Sequence, residues 1–269
     1  MSVALALIAS FHHLEDFSIY GDCYMALAQF VRENSVYATF HREKAESGAL
    51  VILDNGAFEL HGSVGIGLGP GPVFEAAKLI GATEVVCQDA PLDGPRTVEL
   101  TRAFLDAARE LGHMETYQFM AVPQGRTKDE WLECYEQLAS MDGIATIGLS
   151  KISVPVAWSK ELTEARVECV EELESRGCKH VLHLLGGSRS LPRELAYQHG
   201  STLVRSNDSS FAFWYGYHGI EVRRDTLGAE TELGPPDLEH AKLDSHVRWM
   251  AALRNVILLH QCGKGVCMR

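Results

Sequence analysis

Residues 51–59 read Val-Ile-Leu-Asp-Asn-Gly-Ala-Phe-Glu, and this stretch decides how the rest of the chain is interpreted. The apolar run predicts a short buried strand, and the Asn-Gly pair after Asp54 predicts that the strand ends there. In parallel α/β proteins, active-site residues collect where the strands end, so Asp54 is a candidate catalytic group. A turn that merely closes the strand is the alternative, because Asp, Asn and Gly are ordinary turn residues.

Strand-like runs followed by polar residues or glycine recur along the whole chain. They lie at residues 3–9, 51–53, 84–87, 117–122, 144–147, 180–185 and 202–204. Apolar residues at helical spacing predict helices at residues 24–33, 73–80, 97–111, 161–175 and 192–199, and Thr127 is the predicted N-cap of another. This alternation predicts a parallel α/β protein.

The number of strand and helix units predicts a single-domain (β/α)8 TIM barrel. The weak eighth strand is placed at residues 219–222, and a helix at residues 238–253 would then close the barrel. No linker-like tract or internal repeat divides the sequence, so residues 1–269 are predicted to be one domain. A doubly wound open sheet is the alternative fold.

Composition indicates an ordinary globular protein, with 46% hydrophobic and 22% charged residues. The apolar runs are shorter than the ~20 residues of a membrane span, and no basic segment precedes the first run as in a signal peptide. Seven cysteines without a paired framework indicate reduced thiols and a cytoplasmic setting, or the host cytoplasm if the chain is viral. Cys262 and Cys267 lack a second ligand pair, so no metal site is predicted.

The net charge of −12 argues against a general nucleic-acid coat protein, whose affinity would come from neutralising phosphates. An enzyme with a local basic rim is still compatible with this charge. Seven cations are candidates for such a rim: Lys151, Lys160, Arg189, Arg193, Arg205, Arg223 and Arg224. The alternative is that these residues are ordinary solvated charges.

The residues just past the predicted strands together describe a site. They are Asp54, Asn55, Asp89, Gln124, Gly125, Gly148, Leu149, Gly186, Gly187 and Asp208. This set holds no histidine, no cysteine beside a base and no metal triad, so hydrolysis by a serine- or cysteine-type mechanism is poorly supported. Two carboxylates with separate roles suit chemistry at a glycosidic carbon. A third carboxylate, with a carboxamide and a backbone N–H, complements the hydrogen-bonding edge of guanine.

In these motifs and their order, the chain resembles the tRNA-guanine transglycosylase superfamily. Its members are (β/α)8 enzymes that exchange guanine for a 7-deazaguanine through a covalent aspartyl–ribose intermediate. Residues 54–59 are similar to the family's Asp-Ser-Gly-Gly-Phe-Gln, which implies that Asp54 is the general acid/base and that Phe58 stacks on the base. Asp89 matches the family's base-recognising aspartate.

Further matches extend the resemblance over most of residues 50–210. Gln124-Gly125 matches the family's Gln-Gly, which holds the carbonyl of the base, and Ile147-Gly148-Leu149 matches Gly-Gly-Leu, which leaves Gly148 as an amide donor. Residues 183–186, His-Leu-Leu-Gly, match Tyr-Leu-Met-Gly, so Leu185 would pack on the opposite face of the base. Asp208 is the carboxylate nearest to the family's nucleophile position. The resemblance thus implies Asp54 and Asp208 as catalytic residues, and as binding residues Asn55, Phe58, Asp89, Gln124, Gly125, Gly148, Leu149, Leu185 and Gly186.

Three departures from the family narrow the comparison. Ser209-Ser210-Phe211 replaces the Pro-Thr-Arg that follows the family's nucleophile, and neither the Cys/His zinc subdomain nor a C-terminal RNA-binding domain is found. The chain is thus more similar to the short phage and bacterial branch, which implies insertion of a 7-deazaguanine, such as 7-cyano-7-deazaguanine, into DNA. DNA and the free base are the expected partners, no cofactor is expected, and a homodimer is left open. The alternatives are a tRNA substrate, a nucleosidase and a catalytically idle nucleic-acid-binding relative.

Overall fold

A computed structural model describes residues 2–57, 67–223, 233–234 and 236–266. Within these residues, eight strands form one parallel sheet. They are β1 (Ala4–Leu7), β2 (Tyr24–Leu27), β3 (Val51–Asp54), β4 (Glu84–Val86), β5 (Gln118–Ala121), β6 (Ile144–Ser150), β7 (Val181–Leu185) and β8 (Val204–Ser209).

Helices follow the strands on the outside of the sheet. Those in the described residues are α1 (Leu14–Ser18), α2 (Ala28–Glu33), α3 (Ser35–Glu46), α4 (Pro70–Ile80), α5 (Gly94–Glu110), α6 (Lys128–Ala139), α7 (Ser153–Trp158), α8 (Leu162–Ser175), α9 (Leu191–Gln198), α10 (Phe211–Tyr217) and α11 (His246–Gly263). None of the described helices is long and apolar enough to cross a membrane.

The sheet curls into a nearly closed barrel. Its strand order runs from β1 through β8 and back down to β2, so the first and last strands are hydrogen-bonded neighbours. At the seam between β1 and β2, the backbone N–H groups of Asp22 and Cys23 donate to the carbonyl of Leu5 at 2.8 and 3.3 Å. The predicted (β/α)8 barrel is therefore confirmed, and the open-sheet alternative is wrong.

Two apolar layers hold the barrel together. The interior is filled by a small cluster that includes Met25, Ile52, Val86 and Met120, and a much larger cluster lies between the strands and the helices. Because successive side chains on a strand point to opposite faces, Asp54 shares the inward face of Ile52. The strand pattern itself thus aims this carboxylate into the mouth of the barrel.

Three predicted elements differ from the structure. The helix predicted at residues 238–253 is α11, which begins only at His246 and ends at Gly263. Residues 24–33 are not one helix, because residues 24–27 form β2, which pairs with β3, and only then does α2 begin. Residues 219–222 contain no strand, and the run predicted as strand seven belongs to β8. A short apolar run is compatible with a buried strand and with a buried helix. Residues 24–27 form a strand because they pair with β3.

Candidate active site

A cavity opens at the carboxyl ends of the strands. Its empty volume is about 680 Å³ including the open mouth, within the range typical of small-molecule sites. The lining includes residues predicted from the sequence: Asp54, Asp89, Gln124, Leu185, Gly186 and Asp208. Residues that are distant in sequence thus share one concave site.

Asp89 lies on the wall of this cavity and is held by two neutral amides. Its Oδ1 accepts a hydrogen bond from Asn55 Nδ2 at 3.3 Å, and its Oδ2 accepts one from Gln124 Nε2 at 2.7 Å. Burial raises the pKa of the Asp89 carboxyl to about 6, although both hydrogen bonds act in the opposite direction. The carboxyl therefore changes charge close to neutral pH.

The Gln124 side chain is oriented by a strained loop. Its Oε1 accepts from the backbone N–H of Leu92 at 3.0 Å, and Leu92 has a φ of 63°, in the left-handed region. This conformation costs energy for a leucine and is found mainly where the surroundings enforce it. The amide nitrogen must therefore face Asp89, and among the described residues only Asp89 accepts from it. One of its two N–H groups is left for a ligand.

Asp208 lies at the end of β8, opposite Asp89 in the sheet order. Its Oδ1 accepts from the backbone N–H of Gly186 at 2.8 Å and lies 3.1 Å from Nε2 of His183. His183 is fully buried inside the barrel, and its Nδ1 lies 2.7 Å from Ser206 Oγ. The carboxylate is thus fixed by one backbone and one side-chain group.

The partners of His183 indicate which nitrogen donates to Asp208. A carboxylate oxygen only accepts, so Nε2 carries the proton in its contact with Asp208. On the other side of the ring, Nδ1 lies near Ser206 Oγ, which accepts from Arg205 Nε at 3.1 Å. At its other end, Arg205 pairs with the buried Glu84 at 2.7 Å.

Asp54 both closes a turn and lines the cavity. Its Oδ1 accepts from the backbone N–H of Gly56 at 2.8 Å, which is a turn that closes β3, and the same side chain lines the cavity. Gly56 has a φ of 76°, a conformation that favours glycine. The turn therefore holds the carboxylate at the mouth.

A buried ion pair holds the end of β7 in position. Arg166 and Glu194 are both fully buried, 3.3 Å apart, and Arg166 also donates to the carbonyls of Leu185 and Gly186. Burial raises the pKa of the Glu194 carboxyl, and Arg166 partly counteracts this. These bonds fix the peptide whose N–H group holds Asp208.

Not every predicted site residue faces the cavity. Gly125 donates its N–H to Ser153 Oγ at 3.1 Å, and a Cβ there would lie 2.5 Å from the backbone of Trp131. Leu149 packs in the layer between strands and helices. Gly148 lies under Leu185, whose Cδ1 would be 2.7 Å from an added Cβ. Asn55 is buried behind Asp89, while Phe58 lies outside the described residues.

Three further residues help to form the candidate site, although the sequence did not indicate these positions for them. His183 and Arg166 are fully buried polar residues, and Lys151 lines the cavity with its stem over Gly186. Lys151 was noted only as a possible rim cation. Burial of His183 and Arg166 depends on long-range packing, so a sequence alone carries little signal for it.

Metal ligands do not cluster in the described part of the chain. No group of three or more His, Cys, Asp or Glu side chains there could hold an ion. No two of the described cysteines form a disulfide with each other, and Cys267 lies outside the described residues.

Comparison with known proteins identifies the fold but no family. No family model matches the sequence, and no curated protein matches it. A GH30 endoxylanase from Clostridium papyrosolvens C71 matches 98% of this chain and 72% of its own, with a TM-score of 0.55 at 6% identity. Tryptophan synthase from M. tuberculosis matches 98% of this chain and 93% of its own, with a TM-score of 0.51 at 11% identity. Both are similar in fold, and both are named as enzymes.

Proposed function

We propose that this protein is a pentosyltransferase that replaces guanine in DNA by a 7-deazaguanine such as 7-cyano-7-deazaguanine. One observation carries the proposal: three carboxylates line one cavity in three different environments. Asp89 is held by amides, Asp208 by His183 and a backbone N–H, and Asp54 by a turn at the mouth. Distinct environments allow carboxylates to take distinct chemical roles.

Asp89 and Gln124 would recognise the base. Each carboxylate oxygen has two acceptor positions, and the amides of Asn55 and Gln124 use one on each oxygen. The remaining positions suit the ring N–H and the exocyclic amine of guanine, and the second N–H of Gln124 suits the carbonyl. A 7-deazaguanine has the same edge, so one pocket serves both bases.

Asp208 would be the nucleophile and Asp54 the proton carrier. Asp208 attacks C1′ of the deoxyguanosine, the C1′–N9 bond breaks, and its electron pair leaves with guanine, which takes a proton from Asp54. The incoming base then gives its N9 proton to Asp54 and attacks C1′, which releases Asp208. The nucleotide must leave the base stack for its C1′ and base edge to reach the cavity together.

The test incubates the purified full chain with DNA or tRNA and labelled 7-cyano-7-deazaguanine, and asks which polymer becomes labelled. We expect label in DNA and release of an equal amount of guanine. Asp208→Asn and Asp54→Asn should each abolish exchange. Asp129→Asn, an exposed aspartate in the first turn of α6, is the matched control and should exchange normally.

Mass spectrometry of the protein after incubation with DNA alone should detect a sugar adduct that Asp208→Asn lacks. Labelling of tRNA alone, release of guanine without incorporation, or full exchange by either site variant would contradict the proposal. The first of these results would favour a tRNA transglycosylase, the second a nucleosidase, and the third would refute the role given to that residue.

A further inference from the structure

A long groove leads away from the cavity across the loops that follow β6, β7 and β8. Its empty volume is about 2220 Å³ including open solvent, roughly three times that of the cavity. Lys151 and Ile152 line both, so the groove lies directly beside the cavity. A ligand whose reacting unit fills the cavity would therefore extend along the groove.

The groove and the cavity differ in charge. In a protein of net charge −12, the groove is lined by four cations and two carboxylates, whereas the cavity has three carboxylates and a single cation. The groove cations are Lys151, Lys160, Arg189 and Arg193. This division fits a ligand with a donor-rich group at one end and negative charge along the rest.

The structure divides the seven cations that were candidates for a basic rim. Four of them line this groove, whereas Arg205 points into the barrel and pairs with Glu84. Arg223 is not part of the groove lining, and Arg224 lies outside the described residues.

Three aromatic side chains of α10 form one wall of the groove. Phe211, Trp214 and Tyr215 all line it. Trp214 is held in place because its Nε1 donates to the carbonyl of Gly234 at 2.8 Å and its ring stacks on Tyr217, with centroids 5.1 Å apart and planes 3° apart. Fixed rings beside cations are the combination that binds single-stranded nucleic acid.

We propose that this groove binds single-stranded DNA next to the flipped nucleotide. Arg189 and Arg193 contact backbone phosphates, and Trp214 stacks on a neighbouring base. Single-stranded DNA is specified because bases inside a duplex are stacked on each other and cannot also stack on the wall. The inference rests on the proposed function, because it takes the cavity as the base site.

The first test measures binding of a fluorescent single-stranded DNA with one central guanine to the full chain, by anisotropy over a series of salt concentrations. Arg189→Gln/Arg193→Gln should weaken binding about tenfold or more. The plot of log K against log salt should flatten by about 1.4, since each phosphate contact on a single strand contributes about 0.7. The matched control, Arg42→Gln/Arg109→Gln on α3 and α5, removes the same charge and should bind like the wild type.

The second test addresses stacking. Trp214→Ala should weaken binding of the single strand about tenfold, whereas Trp214→Phe should largely retain it, because the ring face is preserved. The wild type should bind the single strand better than the same sequence as a duplex or as RNA. Circular dichroism of each variant checks that it is folded.

Two results would overturn the inference: equal binding by the groove and control variants, or a stronger groove-dependent affinity for duplex DNA or RNA. Free guanine binding should be unchanged in the groove variants, because Asp89 and Gln124 are intact. If the groove binds DNA but the protein exchanges no base, only the proposed function is refuted. If the groove variants exchange bases at the normal rate, only the proposed role of the groove is refuted.

Discussion

Asp89 is buried, and both of its oxygens accept hydrogen bonds from neutral amides, with no full counter-charge at bonding distance among the residues that the structure describes. Burial raises the pKa of this carboxyl to about 6. Above that pH the ionised group accepts hydrogen bonds from a ligand, and below it the group presents an O–H instead. Ligand affinity should therefore depend on pH at this residue.

We expect guanine to bind with constant affinity above about pH 6 and with about tenfold lower affinity for each unit below it. Isothermal titration calorimetry between pH 5 and 8 measures this. Asp89→Asn should bind weakly at every pH, with no inflection, because its side chain does not titrate. A wild-type affinity that is constant over the whole range would show that Asp89 does not accept from the base.

At the residue scale, the sequence predicted part of the site. Asp54, Asp89, Gln124 and Asp208 were each placed at a strand end, and the structure brings them around one cavity. The chain from Arg205 through Ser206 to His183 could not be predicted. It depends on an irregularity in the pairing of β7 with β8, where Leu182 faces Val204 but His183 faces Ser206, so one residue of β8 is extra.

At the element scale, local signals predicted the strands of the described barrel apart from β2, and they placed the ends of several helices. Thr127 accepts from the N–H of Glu130 at 3.3 Å, which confirms the predicted N-cap, and α8 ends close to the predicted position. Caps act over three or four residues and can be recognised in a sequence. The strand β2 is four residues long, and its pairing with β3 comes from outside the segment, so nothing local distinguished it from a helix.

The end of β7 depends on Arg166 and Glu194, and their effects on stability and activity can be separated. Arg166→Met should lower the free energy of unfolding by about 3–5 kcal/mol, because it leaves Glu194 buried without its partner. Arg166→Met/Glu194→Leu should regain much of that stability, since the unpaired charge is removed. Urea denaturation at pH 7 measures both.

Base exchange should stay low in the double variant, because Leu185 and Gly186 still lack the donor that holds their carbonyls. Lys128→Met, which breaks an ion pair with Glu172 that is partly exposed, is the control and should change stability by under about 1 kcal/mol. Recovery of exchange in parallel with stability would mean that the ion pair supports the fold alone.

At the scale of the whole molecule, the repeating units predicted the barrel, but not how its two ends meet. Beside the seam, the end of α11 contacts residues that are far from it in sequence. Val3 donates to the carbonyl of Gly263 at 2.9 Å, and Lys264 pairs with Asp22 at 2.6 Å, so the end of α11 covers the start of β1. The basic groove follows from the strand order, because β6, β7 and β8 are neighbours in the sheet, whereas the acidic cavity takes residues from all around the barrel.

Asp22 is the residue on which this closure depends most directly. Its Oδ2 accepts from the backbone N–H of Leu5 at 3.2 Å, its Oδ1 accepts from Lys264, and its own N–H donates to Leu5. Asp22→Ala should lower the free energy of unfolding by about 1–3 kcal/mol, because it leaves the Leu5 N–H without an acceptor at the seam. Asp22→Asn keeps an acceptor for Leu5 and loses only the ion pair, so its effect should be smaller.

Urea denaturation gives the size of each effect, and hydrogen exchange gives its location. In Asp22→Ala, exchange should accelerate first in β1 and β2, since the barrel opens where the two strands are joined by the fewest bonds. Asp106→Ala, which removes an exposed ion pair with Arg109 on α5, is the control and should leave both measurements nearly unchanged. Uniform acceleration across all strands would mean that the barrel unfolds as one unit and that the seam is no weaker than the rest.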